Sequence, residues 1–353
     1  MNWTLWLRPL NNGSYSSRIY LSENTYNLEW SSSYFSIPNT GLENNVTNFY
    51  KWAIETYPAE HYALFINGHG SGTFSSDNAS LFSYKAPKPS KAIGYDNYYN
   101  DSLNLLELKR VYNEIFNLLN GQKIDIVCYD SCIMGMLEVA YQLKDYVNLY
   151  VSSEASAFTM DMSIFSNKFK SLYSINPSPS PIEVAKTIVD SYFEDSTLYN
   201  TSITMSVMDL QNIKTVAENV NGLAYYIGTG TVEDANNFFN SILRSYNDQR
   251  FSGNLYIDLY DLCDLININF LPSNDIYTTA SMVKNSLKNL VVYQKNRGSS
   301  YPYAHGVSIV FPKFSYDWLV YHNNQYNKID FGVNNNWSIL INNWTKYLYQ
   351  NGY

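Results

Sequence analysis

Apolar residues along the chain fall into two kinds of run, and their order predicts an α/β protein. Continuous apolar segments over 62–66, 124–129 and 149–153 predict buried strands. Between them, apolar residues recur at helical spacing over 42–57 and 103–119. This alternation of strands and helices predicts a mostly parallel central sheet with helices on both faces.

Further elements are predicted on each side of this region. They are strands over 3–8, 18–22 and 201–208, helices over 133–145, 177–192, 211–228 and 231–248, and short apolar segments over 255–262 and 306–311. Residues 23–40 are predicted to be irregular and residues 71–92 to form a loop. Beyond Asp209 the alternation of strands and helices gives way to two consecutive helical segments. We therefore predict a core domain over 1–210 and a C-terminal subdomain over 211–353.

Two of the predicted strands lead to residues with reactive side chains. The strand over 124–129 is followed by Cys132, and the strand that begins at Tyr62 leads to His69. Neighbouring parallel strands present their carboxyl ends side by side, where open α/β sheets bind their ligands. A histidine can hold a cysteine as the nucleophilic thiolate. A helix beginning at Ile133 would favour that thiolate further through its positive end.

The backbone around these two residues suggests an oxyanion site. Gly68 and Gly70 leave the backbone at His69 unencumbered, and the N–H groups of Gly70 and Cys132 are candidates to hold a developing oxyanion. The same spacing also fits a buried free cysteine and a histidine in a tight turn, since free cysteines are most often buried. Spacing alone leaves both interpretations open.

The motifs at both strand ends resemble a known family. His69-Gly70, followed about 60 residues later by Asp130-Ser131-Cys132, is similar to the clostripain family of cysteine peptidases, in the clan of the caspases, gingipains and legumains. The resemblance also covers 42–70, 92–108, 134–138, 151–154, 205–210, 257–259 and 305–312. Members often carry an aspartate in the pair before the histidine, where this chain has Asn67-Gly68, so the tuning of His69 is expected to differ.

This resemblance implies a fold and an activity. The fold would be a caspase-like three-layer α/β/α sandwich, with a C-terminal subdomain. Cys132 would be the nucleophile and His69 the general base or acid, in a thioester mechanism that hydrolyses peptide bonds after Arg or Lys. No cofactor is expected, although some relatives use calcium. The chain lacks a compact acidic loop of the EF-hand type, and we predict no metal ligands.

Acidic residues near the nucleophile are candidates to bind a basic substrate. Asp130 falls where the resemblance suggests an acidic residue of the primary specificity pocket, and a carboxylate there would pair with a substrate Arg or Lys. Asp130 would also serve as a cap for a helix that follows Cys132, and the two roles can coexist. Glu154 and Asp161 are further candidates, although a carboxylate at such a position is more often solvated surface.

The loop over 71–92 is a candidate for self-processing. Many relatives are made as zymogens that cut themselves between the histidine and the cysteine. Lys91-Ala92 is the preferred candidate bond and Lys85-Ala86 the second, whereas Lys88 precedes a proline. A solvated loop with three lysines is the alternative interpretation of this segment.

Composition narrows the partners of the protein. The 353 residues carry a net charge of −8 without a basic block, which argues against nucleic acid, and contain no apolar run long enough to span a membrane. The three cysteines, at 128, 132 and 263, do not form a disulfide framework, and Cys128 and Cys263 are predicted to be buried. The expected partners are proteins or peptides containing Arg or Lys, and the chain is expected to be a monomer.

Location and activity each leave an alternative. The N-terminus lacks the basic-then-apolar layout of a signal peptide, yet relatives are commonly exported and the surface is rich in Asn and Tyr. We therefore expect an extracellular or cell-surface protein. The alternative to an active endopeptidase is a catalytically inactive relative that acts as a binding or cell-surface protein.

Overall fold

The structure is a computed structural model that describes residues 3–7, 16–22, 25–31, 41–74, 93–96, 101–244, 248–251, 255–313, 318 and 323–352. Lys85, Lys88 and Lys91, in the predicted processing loop, lie outside these described residues.

Strands and helices alternate along the chain. The strands are β1 (Trp3–Leu7), β2 (Ser16–Ser22), β3 (Thr25–Ser31), β4 (His61–Gly68), β5 (Ile93–Asp96), β6 (Asp101–Leu103), β7 (Ile124–Ser131), β8 (Val147–Ser152), β9 (Ile203–Asp209), β10 (Arg250–Phe251), β11 (Tyr256–Asp258), β12 (Val291–Arg297) and β13 (Ser308–Val310). The helices are α1 (Glu43–Thr56), α2 (Leu105–Leu118), α3 (Leu137–Leu143), α4 (Met162–Ile175), α5 (Pro181–Glu194), α6 (Ile213–Thr229), α7 (Val232–Arg244), α8 (Leu259–Asn269), α9 (Asp275–Leu290), α10 (Asn323–Tyr326), α11 (Asp330–Asn334) and α12 (Trp337–Gln350).

A mixed sheet forms the middle of the molecule. Within the described part of the chain it has eight strands in the order β12-β9-β8-β7-β4-β1-β2-β3. The four central strands β8, β7, β4 and β1 are parallel, and the strands at each end are added through antiparallel pairs. Helices cover both faces of this sheet, so the predicted three-layer α/β/α class is confirmed.

The central strand β7 is buried along its whole length because helices pack on both of its faces. Val127 and Tyr129 point into the core cluster that contains residues of α2, α6 and α9. Ile126 and Cys128 point to the opposite side, where residues of α4 and α5 complete a second cluster. This alternation of successive side chains explains the continuous apolar run in the sequence.

The first two helices, which both precede β7 in the chain, begin and end near their predicted limits. The helix predicted over 42–57 is α1, and the helix predicted over 103–119 is α2. Asn104 caps α2 by accepting hydrogen bonds from the N–H groups of Leu106 and Glu107, while the Glu107 side chain accepts from the Asn104 N–H. This capping box fixes the helix start locally.

Several elements differ from the sequence-based prediction. Residues 23–40 were expected to be irregular, but β3 lies within them and pairs with β2. Helices α4 and α9 were not predicted. Strand β9 is antiparallel to β8 instead of parallel. Two helices, α4 and α5, separate β8 from β9. The second of them, α5, returns the chain to the end of the sheet where β8 finishes, so β9 runs in the opposite direction to β8.

The C-terminal part of the chain contributes directly to the central sheet. Strand β12 comes after the predicted boundary at residue 210 and pairs with β9 at one end of the sheet. Strands β10, β11 and β13 form a separate small sheet, and Ser308 of β13 donates its N–H to the Gly135 carbonyl at 2.8 Å. The division into 1–210 and 211–353 stays a prediction, with β12 belonging to the core sheet. No helix among the described residues has the length and hydropathy needed to cross a membrane.

Candidate active site

His69 and Cys132 follow adjacent parallel strands at the same level of the sheet. The last register pair of β4 and β7 is Gly68 with Ser131, so His69 and Cys132 each come one residue later. His69 is exposed and Cys132 is half-buried. Gly70 lies directly against the nucleophile, because a methyl group at Gly70 would collide with the carbonyl oxygen of Cys132. The fold therefore places the two predicted catalytic residues side by side.

The backbone turns sharply at both strand ends. Gly68 has a φ of 144°, a conformation that residues with a side chain rarely adopt. Ile133, directly after Cys132, has a φ of 61°, which is unfavourable for a β-branched residue by about 1–3 kcal/mol. Its N–H donates to the Ala155 carbonyl at 2.9 Å, and the Gly135 N–H donates to the Ser153 carbonyl at 2.7 Å. These bonds hold the strained turn in place.

The helix after the nucleophile begins later than predicted. We expected a helix from Ile133, but α3 begins at Leu137, and the Met136 side chain makes no cap hydrogen bond. The positive end of α3 is therefore not at the thiol. Instead, the Ala157 N–H lies 3.3 Å from the Cys132 sulfur and the Ala157 carbonyl oxygen lies 3.4 Å from it. The Ala157 N–H is therefore a hydrogen-bond donor to the Cys132 sulfur.

Two tyrosines that the sequence did not single out complete the surroundings of the thiol. The Tyr192 hydroxyl accepts the Phe158 N–H at 2.9 Å, and its pKa is raised by burial and by the charges of Asp130 and Cys132. Burial, and then the charge of Cys132, also raises the pKa of Tyr301. Both hydroxyls therefore remain protonated. Their contribution could not be found locally, since the chain contains 34 tyrosines.

Asp130 lies deep in the site, and its hydrogen bonding is incomplete. The side chain is 6% exposed. Its Oδ2 accepts the Met160 N–H at 2.8 Å and a short hydrogen bond from the Asn67 amide, whereas its buried Oδ1 has no hydrogen-bond partner among the described residues. Burial raises the pKa of Asp130 to about 6, against the lowering effect of these two hydrogen bonds. The alternative role as a helix cap is wrong, because α3 starts seven residues later.

The two other acidic candidates have different environments. Glu154 is buried, and its Oε2 accepts the Gly306 N–H at 2.8 Å. Burial, and then the nearby Asp258 carboxylate, raises the pKa of Glu154 well above its usual range. Asp161 is exposed and caps α4 by accepting the Ser163 N–H at 2.8 Å. Neither shares a described hydrogen bond with Asp130 or Cys132, and their substrate-binding role stays a prediction.

The other cysteines and two further histidines have structural surroundings. Cys128 and Cys263 are fully buried as predicted, and burial raises the pKa of both thiols, which keeps them protonated. His305 lies 3.2 Å from the buried Asp258 carboxylate. His61 is partly buried and lies 3.2 Å from Asp125.

The described residues contain no group of three His, Cys, Asp or Glu side chains that could hold a metal ion.

A thiol and an imidazole at neighbouring strand ends, on a caspase-like core, define the class of cysteine peptidases with this fold. Comparison with known proteins identifies the family. The sequence model of the clostripain family matches residues 17–344. The chain belongs to the clostripain family, which confirms the resemblance found in the sequence.

Individual relatives agree with this assignment. Clostripain of Hathewaya histolytica is 22% identical over an alignment of 293 residues, which covers 72% of this chain and 53% of that protein. The chain thus matches about half the length of this curated relative. The secreted C11 cysteine protease "iotapain" of Bacteroides thetaiotaomicron has a similar fold, with a TM-score of 0.64 at 15% identity, covering 94% of this chain and 87% of that one. An inactive zymogen of a C11 protease from Parabacteroides distasonis gives a TM-score of 0.61 at 16% identity, covering 94% and 86%.

Proposed function

We propose that the protein is a cysteine endopeptidase in which Cys132 and His69 form the catalytic dyad. The observation that carries this proposal is the register of β4 and β7, which brings the two residues to the same level of adjacent strands. His69 takes the proton from the Cys132 thiol, and the thiolate attacks the carbonyl carbon of the scissile bond. His69 then gives the proton to the leaving amine, and a thioester remains. Water, activated by His69, hydrolyses the thioester and restores the thiol.

The developing negative charge needs hydrogen-bond donors at the nucleophile. We assign this role to the N–H groups of Gly70 and Cys132. The close approach of Gly70 to the Cys132 carbonyl supports the assignment, because it brings the two backbone segments together at the reacting sulfur. Donors that are already fixed in place stabilise an oxyanion without reorganisation during the reaction.

Asp130 is the proposed determinant of specificity for Arg or Lys at the cleaved bond. Its burial and the unpartnered Oδ1 support this role, because a buried carboxylate oxygen without a donor is unfavourable unless a ligand supplies one. The ammonium group of Lys or the guanidinium of Arg would supply that donor and the neutralising charge. Glu154 and Asp161 remain secondary candidates.

Self-processing is proposed for the segment between His69 and Cys132. Support comes from the residues that flank it: Ile93 pairs with Gly70, so the chain re-enters the described structure beside the catalytic histidine. Lys91-Ala92 is therefore the preferred bond and Lys85-Ala86 the second. We further propose protein or peptide substrates, a monomeric enzyme that acts outside the cell, and activity without calcium.

Turnover of fluorogenic peptides tests the proposed function. Under reducing conditions without calcium, we expect cleavage after Arg and Lys but not after Asp, and loss of turnover by at least about a thousandfold in Cys132→Ala. The purified wild type should also be cut after Lys91, whereas Cys132→Ala should remain one chain. Absence of turnover, with or without added calcium, would favour the catalytically inactive binding protein. A preference for Asp at the cleaved bond would contradict the role of Asp130.

A further inference from the structure

The carboxylate proposed to select the substrate is itself held by a neighbour. Asn67 of β4 and Asp130 of β7 are register partners, and the Asn67 amide donates to Oδ2 of Asp130. Asn67 precedes His69 by two residues, and Asp130 precedes Cys132 by two. The two side chains thus form the level of the sheet directly below the catalytic pair.

Two donors compete for the same oxygen of this carboxylate. The Met160 N–H also donates to Oδ2, at 2.8 Å, so Oδ2 receives both hydrogen bonds and Oδ1 receives none. Glu138 and Glu154 also each have one buried oxygen without a partner among the described residues, so the unpaired oxygen alone does not distinguish Asp130. Asp130 differs from them in its place, two residues before Cys132, where the two hydrogen bonds to Oδ2 fix the plane of the carboxylate and leave Oδ1 for a ligand.

We propose that Asn67 is a positioning residue that occupies Oδ2 of Asp130, so that Oδ1 alone meets the basic side chain of the substrate and Lys is favoured over Arg. This inference rests on the proposed role of Asp130. An Arg guanidinium binds a carboxylate best with two parallel hydrogen bonds to both oxygens. A Lys ammonium is a compact charge that needs only one acceptor. Because Oδ2 already accepts two hydrogen bonds, an Arg guanidinium cannot bind both oxygens of the carboxylate.

The same hydrogen bond keeps Asp130 ionised. Burial raises the pKa of Asp130, and the Asn67 amide is one of the two groups that lower it again. Among the described residues, the titratable groups that interact with this carboxylate are Cys128 on its own strand and Tyr192 on α5, and neither is a cation that replaces Asn67. Loss of the amide should therefore raise the pKa of Asp130 and weaken the binding of basic substrates in mildly acidic solution.

The test compares peptides that differ only in Lys or Arg at the cleaved bond. The variants are Asn67→Ala, which removes the donor, and Asn67→Asp, which keeps its shape but replaces the donor with a carboxyl group. Asn212→Ala is the matched control, since the Asn212 amide also donates to an oxygen, the Asn289 carbonyl. Asn212 follows β9 at the end of the sheet opposite the catalytic pair. kcat and KM are measured from about pH 5 to about pH 9, with thermal unfolding of each variant.

In the wild type we expect Lys peptides to have the higher kcat/KM. In Asn67→Ala, the acidic limb of kcat/KM should move upward by roughly one pH unit. The change should appear mainly in KM and recover at high pH. The Lys-to-Arg ratio should fall about threefold or more, because Oδ2, then bound by the Met160 N–H alone, can accept a second hydrogen bond from an Arg guanidinium. Asn67→Asp should shift the limb further, since two carboxyl groups at this distance share a proton. Asn212→Ala should behave as wild type.

Three results would overturn the inference. One is an unchanged acidic limb and Lys-to-Arg ratio in both Asn67 variants with only a lower unfolding temperature, which would make Asn67 purely structural. Another is a wild-type preference for Arg, which would contradict recognition through one oxygen. The third concerns Asp130 itself: either the wild type shows no preference for basic residues, or the Asp130→Ala variant keeps that preference. Only this third result would remove the proposed role of Asp130 together with this inference.

Discussion

The burial of the Asp130 carboxylate is unfavourable for stability, but it suits the role proposed for this residue in substrate binding. Asp130 is 6% exposed, yet one of its oxygens has no hydrogen-bond donor. Burial disfavours the charged form and raises the pKa of the carboxyl to about 6. A side chain selected for stability alone would avoid this arrangement. A side chain that must pair with a cationic substrate benefits from it, because an unpaired buried charge strongly favours its partner.

Asp130→Asn should therefore stabilise the protein while it abolishes cleavage after basic residues. The pKa of Asp130 lies about two units above that of an unfolded aspartate, so its ionisation destabilises the fold by up to about 3 kcal/mol near pH 8 and not at all below about pH 4. Chemical unfolding at both pH values measures the difference. Asp161→Asn is the control, because hydrogen bonds with Ser163 lower the pKa of Asp161 and its replacement gives no such gain. A destabilised Asp130→Asn at pH 8 would contradict this account.

At the scale of elements, the loop between β7 and α3 depends on close backbone contacts. It carries the positive φ of Ile133 and hydrogen bonds to the backbone that follows β8. Gly135 packs so tightly that an added methyl group would lie 2.7 Å from the Glu154 nitrogen and 2.8 Å from the Ser153 carbonyl carbon. These are backbone atoms, which cannot move aside as a flexible side chain can.

Gly135→Ala should consequently destabilise the protein by about 1–3 kcal/mol and reduce turnover, because the loop that presents Cys132 must shift. Gly228→Ala is the matched control: Gly228 lies in α6 with no atom within 4 Å of an added methyl group, and alanine should stabilise this helix by up to about 1 kcal/mol. Unfolding of both variants in a Cys132→Ala background avoids self-digestion. Equal effects of the two substitutions would refute the proposed crowding at Gly135.

At the scale of the whole molecule, buried acids join the C-terminal segments to the core. Glu138 of α3 accepts the Val310 N–H and the Tyr326 hydroxyl, and Glu154 accepts the Gly306 N–H. Burial raises the pKa of Glu138 to about 7 and that of Asp261 to about 6, and it also raises that of Glu154. The pKa of His305 is raised as well, because the adjacent Asp258 outweighs the effect of burial.

The protein should therefore be more stable near pH 5 than near pH 8. Each of these groups holds its proton to a higher pH in the folded state than in the unfolded state. Between about pH 4.5 and pH 7 the folded state binds more protons, so the free energy of unfolding falls as the pH rises. Acids whose pKa is lowered by partners, such as Asp190 and Asp234, lose their contribution only in more acidic solution. Thermal unfolding of Cys132→Ala across this range measures the trend, and a maximum near pH 8 would contradict it.

Local patterns were sufficient to predict many elements, and the resemblance to the family supplied the two proposed catalytic positions. The apolar run of β7 and the helical spacing of α1 and α2 were interpreted correctly, because burial and periodicity act over a few residues. The helix after Cys132 was predicted too early. Its apolar stripe is genuine, but backbone bonds from Ile133 and Gly135 to residues 153–155 hold the first part of that segment in a turn.

The sequence by itself determined that strands end at His69 and Cys132, since apolar runs and glycines mark those ends locally. Only the tertiary structure decided what surrounds them. Asn67 and Asp130, which share a hydrogen bond, are 63 residues apart, and the charge of Cys132 acts on Tyr301, which lies much later in the chain. Such contacts depend on strand register and on the path of distant segments, which no local pattern encodes. For that reason the sequence could propose a nucleophile and its base, whereas the hydrogen bond between Asn67 and Asp130 emerged only from the fold.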